Sequence, residues 1–157
     1  MKLSMKSFLL IFLFANIGLL SFAQDSAVTK VPKFKPPVVK SYLGINTNGA
    51  AVTKEEASQL VALPLNITDD KKNVYAIDSY HFLYKRKGVI QDEETGKKSI
   101  TFTNVSDLFK TTPLPKVWID NIKDGFQKDE ELYFFDIVVT DTKNRKFFAP
   151  DLKITIQ

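Results

Sequence analysis

The cleanest hydrophobic pattern lies at the end of the chain. Leu152, Ile154 and Ile156 alternate with Lys153, Thr155 and Gln157, the period of two that a half-buried strand requires. Residues 132–139 alternate less regularly. In a regular strand Tyr133, Phe135, Ile137 and Val139 share one face. A bulge near Asp136 would instead align Leu132 and Phe134 with Ile137 and Val139. Residues 140–145 form the turn between these two strands. Further back, Tyr80, Phe82 and Tyr84 alternate with Ser79, His81 and Leu83, which predicts a strand over residues 74–85. Residues 99–105 resume as a strand, with Ile100 and Phe102 on one face and Thr101 and Thr103 on the other. The polar segment 85–98 between them reads as an exposed hairpin connection. Leu63, Leu65 and Ile67 alternate with Pro64 and Asn66. Proline cannot donate to a ladder, so this strand belongs at an edge.

Two short helices punctuate the strands. Thr53 stands three residues before Glu56, a capping box in which each side chain satisfies the other's free amide. A helix over about 54–60 follows, with Ala57, Leu60 and Val61 on its apolar side. Residues 106–112 read as a loop. Pro113 or Pro115 then opens a second helix to about Lys123, because proline is tolerated in a first turn. Leu114, Trp118 and Ile122 form its buried stripe, and Gly125 is a stop. Asn48-Gly49 signals a turn ahead of the first helix. The element order has no βαβ alternation and only hairpin-length links. It predicts a mainly β fold, an antiparallel β-sandwich-like domain with two short helices.

The first residues belong to a different kind of segment. Lys2 and Lys6 precede an almost unbroken apolar run over 7–20, and Ser21-Phe22-Ala23 offers small residues for cleavage. Residues 1–23 are therefore expected to be a secretory signal peptide, too short in its apolar run for a spanning helix. No membrane span is expected after cleavage. Residues 24–40 carry Lys30, Lys33, Lys35 and Lys40 among Pro32, Pro36 and Pro37, an extended linker by composition. The β domain is expected over 41–157.

Charge and composition narrow the classes. The 157 residues are 44% apolar and 25% charged, ordinary for one folded domain. Removing residues 1–23 takes away Lys2 and Lys6 and lowers the net charge from +4 to +2. The remaining charges are mixed along the chain, so no nucleic-acid partner is implied. Cysteine is absent, which excludes disulfides and cysteine-ligated zinc.

Candidate chemistry is thin. His81 is the only histidine. A zinc site needs further His or Cys ligands and a general base needs a proton to move. His81 is read as a strand residue opposite the aromatic face. The carboxylate runs Asp69-Asp70, Asp92-Glu93-Glu94 and Asp129-Glu130-Glu131 lack calcium-loop spacing and are read as solvated turn charge. There is no phosphate-binding glycine loop and no nucleophile elbow. Catalytic residues, metal ligands and cofactors are all expected to be none. The aromatics Tyr80, Phe82, Tyr84, Trp118, Tyr133, Phe135, Phe147 and Phe148 read mostly as core. Tyr84 and Phe147-Phe148 are the candidates for a rim.

The order of these motifs resembles the C-terminal periplasmic domain of the gliding-motility protein GldM family. The resemblance rests on Pro37-Val38-Val39, the Asn48-Gly49 turn, the helix from Thr53 and Ser79-Tyr80-His81-Phe82. It continues through the helix from Pro115, the acidic turn 128–130, Leu132-Tyr133-Phe134-Phe135-Asp136-Ile137, the polar turn 143–146 and the closing strand 152–156. It covers about residues 36–157, and it favours the bulged form of the 132–139 strand. The family domain ends a dimeric periplasmic shaft of the gliding and type IX secretion motor. In this sequence a signal peptide stands where the family has an anchor and upstream domains, so a motor-driven stroke is not expected to carry over. The resemblance implies a non-catalytic protein-interaction module, periplasmic or secreted to the cell envelope. Its partners would be envelope proteins, secretion and gliding components among them, with a homodimer as one assembly to test. The alternative is a periplasmic carbohydrate or small-ligand binding protein that uses exposed aromatics.

Overall fold

The computed structural model describes residues 33–157. The expected signal peptide, 1–23, and residues 24–32 of the expected linker lie outside the described residues. Residues Lys35–Gln157 form one compact unit.

The unit is mainly β and sandwich-like, with two short helices. In chain order its elements are β1 (Val39–Leu43), β2 (Ala50–Val52), α1 (Lys54–Leu60), β3 (Leu65–Asp69), β4 (Ala76–Gln91), β5 (Lys98–Phe109), α2 (Lys116–Ile122), β6 (Glu131–Thr140), β7 (Lys146–Phe148) and β8 (Leu152–Ile156). The larger sheet runs β2-β8-β6-β4-β5, with β7 also paired to β6; β1 and β3 form a separate antiparallel pair. All pairings are antiparallel except the short β2–β8 edge.

The core gathers one face of the large sheet. Tyr80, Phe82, Leu132, Ile137, Val139, Leu152 and Ile154 are fully buried there. Leu43, Leu65 and Ile67 from the small sheet and Ala57, Leu60 and Val61 from the first helix region are buried as well. The α1 capping box forms as its sequence requires: Thr53 Oγ1 accepts from the Glu56 amide and Glu56 Oε2 accepts from the Thr53 amide. Pro115, not Pro113, caps α2. The Ser58 hydroxyl donates to the Lys123 carbonyl and ties the two helices together.

The structure resolves the ambiguity in β6 in favour of the bulge. Asp136 has φ +49°, and the β6 register against β4 shifts on either side of Ser79. Leu132 and Phe134 therefore point inward with Ile137 and Val139, while Tyr133 and Phe135 point outward. An extra residue in one strand reverses which parity faces the core.

Three boundaries differ from the sequence reading. The hairpin is far longer than expected: β4 runs on to Gln91, and β5 begins at Lys98 and reaches Phe109, so the expected loop 106–112 is partly strand. Only residues 92–97 turn. There the Asp92 carboxylate accepts from the Glu94 and Thr95 amides, the Gly96 amide donates to the Asp92 carbonyl, and Gly96 takes φ +66°. Polar residues in 85–98 read as loop because a hairpin arm without a core beneath it shows no hydrophobic alternation. Second, β1 begins at Val39, inside the segment read as linker, because Val39, Ser41 and Leu43 are buried against β3. Third, residues 146–148 form β7, paired with the end of β6.

Candidate functional site

The outer face of the large sheet carries a row pattern set by its register. Leu108 of β5, His81 of β4 and Phe135 of β6 lie side by side. The next row is Ser106, Leu83, Tyr133 and Lys153, and the one after it is Asn104, Lys85, Glu131 and Thr155. Beyond Lys85 the register with β6 ends, and β4 and β5 continue as a two-stranded arm through Phe102–Lys87 and Ile100–Val89. These positions face outward because the opposite parity, Tyr80, Phe82 and Tyr84, faces the core.

Aromatic rings stack across this face. His81 lies on Phe135 at 5.1 Å between centroids, and Phe135 lies on Tyr133 at 5.0 Å. Rings stacked on one another cover part of the flat faces that a sugar would need. The Tyr133 hydroxyl donates to Asp151 Oδ2 at 2.5 Å, and this bond pushes its pKa up, with burial adding to the effect.

A charged row lies beside the aromatic one. Glu131 accepts from Lys85 at 3.1 Å and forms an ion pair with Lys153 at 2.8 Å. Burial opposes its ionisation, but the bonds from Lys153 and Lys85 outweigh that, and its pKa is lowered. The Lys85 ammonium also sits 4.7 Å from the centre of the Phe102 ring, a cation–π contact. Apolar side chains continue along this face into the arm: Val89, Ile100 and Phe102 are all exposed, Ile100 and Val89 by 64% each.

The edge of β5 is the second feature. It ends the sheet order, and among the described residues no strand pairs with its outer side. It spans twelve residues with neither proline nor glycine. A long edge of this kind presents unpaired amides and carbonyls to any strand that approaches. The strand expected at an edge, 63–67, is covered more than expected. As β3 it pairs with β1, and its other side meets the 74–75 segment through a Thr68–Val74 bridge and the Tyr75 amide on the Ile67 carbonyl.

His81 Nδ1 lies 3.6 Å from Asp136 Oδ2, beyond hydrogen-bond length, and has no hydrogen-bond partner among the described residues. Asp136 is placed there by the bulge. Among the described residues no hydroxyl is hydrogen-bonded to the imidazole. Among the described residues no group of three or more His, Asp or Glu could hold a metal ion.

The carboxylate runs divide. Asp69 and Asp92 organise turns: Asp69 accepts from the Lys71 and Asn73 amides and from the Asn73 side chain. Glu130, read as solvated turn charge, is instead fully buried. It accepts from Tyr84 Oη at 2.6 Å and from the Lys87 and Gln127 amides at 2.8 Å each. Its neighbours Asp129 and Glu131 are acidic too, so nothing local marked it. The rim candidates also divide. Tyr84 and Phe147 are buried, and only Phe148 is exposed.

Comparison with known protein families and with curated proteins returns no match. The face and the edge must be read from their own geometry. Among the described residues no helix is long and apolar enough to cross a membrane.

Proposed function

We propose that the chain is a non-catalytic protein-interaction module of the bacterial cell envelope, similar in role to the GldM C-terminal domain. It is delivered by its signal peptide to the periplasm or the cell surface. The observation that carries this reading is the open outer edge of β5, with exposed Ile100, Phe102 and Leu108 beside it. Such an edge suits a partner strand that extends the sheet. Main-chain pairing supplies affinity, and the alternating side chains supply selectivity. The aromatic row gives less support to carbohydrate binding, because His81, Phe135 and Tyr133 are stacked on one another.

The test is crosslinking in cells, with the chain recovered from separated envelope fractions. Wild-type protein is expected to bring down a defined set of envelope proteins. The double variant Ile100→Lys, Phe102→Lys is expected to lose that set while keeping its fold, because both side chains are exposed. Secretion or gliding components in the set would support the family role. An identical set from both proteins would remove β5 as the docking edge. Recovery of no specific protein at all would sink the interaction reading.

A further inference from the structure

A second feature lies on the core side of the arm, between β4–β5 and α2. A cavity of about 230 Å³ opens there, walled by Tyr84, Val105, Val117, Trp118 and Ile122. Two polar side chains join the lining, Arg86 and Asn121. Arg86 follows Tyr84 on the same face of β4, at the point where the core ends and the arm begins.

The polar groups around the cavity are unevenly committed. The Tyr84 hydroxyl is held by Glu130. Asp120, next to Asn121, is held between Lys116 and Lys123. Arg86 and Asn121 make no side-chain hydrogen bond or ion pair with any described residue. An apolar cavity with a few convergent free polar groups is the general form of a small-molecule site. The only cation in its lining is a guanidinium, whose planar fork matches a carboxylate.

We propose that this cavity binds a small apolar carboxylate. Its ring or branched chain lies against Trp118, Val105 and Val117, its carboxylate meets Arg86, and Asn121 supplies a further donor. A cationic ligand would be repelled by Arg86, and a sugar would leave its hydroxyls against apolar walls. A phosphate monoester would bring close to two charges against one cation. The volume admits a single substituted ring, since benzene fits an enclosed cavity of about 150 Å³, and this one opens to solvent at Val105 and Val117. The inference stands apart from the envelope reading and uses none of the outer-face residues.

Trp118 is the only tryptophan in the chain, and it packs edge-on against Phe82 and Phe109. Its emission therefore reports on the cavity. The experiment titrates purified protein with 3-phenylpropanoate and, separately, with 3-phenylpropanamide, following Trp118 fluorescence and ligand-observed NMR. The acid is expected to saturate in the millimolar range, as a ligand of about ten heavy atoms should. The amide is expected to bind at least tenfold more weakly, and Arg86→Gln, an exposed position, is expected to weaken the acid at least tenfold. Val117→Phe, which fills the cavity, is expected to abolish saturation. Acetyl-glycyl-phenylalanine, with a free carboxylate, distinguishes the source. Tighter binding than the simple acid would assign the site to a polypeptide C-terminus, and equal or weaker binding to a free small acid. Equal response to acid and amide, unchanged affinity in Arg86→Gln, or no saturation by the acid would each overturn the proposal.

Discussion

Tyr84 donates its hydroxyl to Glu130 at 2.6 Å, and both residues are buried. The carboxylate also accepts the Lys87 and Gln127 amides, so it closes the gap between β4 and the turn that leads into β6. The Glu130 carbonyl in turn accepts from the Ile156 amide in the last strand. One buried residue therefore joins β4, its own turn and the last strand, the first two through its side chain and the third through its carbonyl. Removing it leaves two backbone amides and a phenol without partners. Glu130→Ala is expected to cost about 3 kcal/mol, and Tyr84→Phe about 1 kcal/mol. Urea unfolding of both variants and of the double mutant measures these costs and their coupling. A loss under about 0.5 kcal/mol for Glu130→Ala would mean that water replaces the carboxylate without penalty.

Burial raises the pKa of two core tyrosines. Tyr80 is pushed up to about 12, and Tyr84 is raised further by burial and by its bond to Glu130. An unfolded tyrosine ionises near 10. Stability from these groups is therefore fully present below about pH 10 and is lost as pH rises through the folded values, because the unfolded chain releases its protons first. Urea melts between pH 8 and pH 12 are expected to fall most steeply in the upper half of that range. Tyr80→Phe should show a shallower fall, relative to its own value at pH 8, than the wild type. Parallel curves would place the alkaline loss elsewhere.

Asp136 takes a left-handed conformation at φ +49°. Aspartate tolerates that region better than branched residues do, and glycine does so with no penalty. Asp136→Gly is expected to keep the bulge and to leave thermal stability within about 0.5 kcal/mol. Asp136→Val is expected to cost about 1–2 kcal/mol. Deleting the residue should be far worse, because a regular strand would turn Ile137 and Val139 outward, or Leu132 and Phe134. Thermal melts of the three variants test the order. A deletion as stable as Asp136→Gly would show that the bulge does not set the register.

Several elements were legible one stretch at a time. The closing strand was plain because Leu152, Ile154 and Ile156 alternate without interruption. Helix α1 was plain because its cap is made by residues three apart. In both, the forces that form the element act between neighbours in sequence. The mainly β, sandwich-like architecture followed from the same local patterns and short links.

The features on which the two proposals rest were of another kind. Both forms of the 132–139 strand were open from periodicity, and the packing of Leu132, Phe134, Ile137 and Val139 decided between them. The β4 half of the arm, beyond Lys85, read as loop because its side chains have no core beneath them. Whether β3 or β5 is the open edge depends on sheet order, which no local pattern encodes. Burial of Glu130 depends on Tyr84, Lys87 and Gln127 arriving around it, and the cavity depends on α2 crossing the root of the arm. The sequence alone determined the closing strand, the capped first helix and the mainly β class, because these are set by side-chain period and by caps. The tertiary structure alone decided the edge, the outer face, the buried carboxylate and the cavity, because each is made by residues that meet only when distant strands pair.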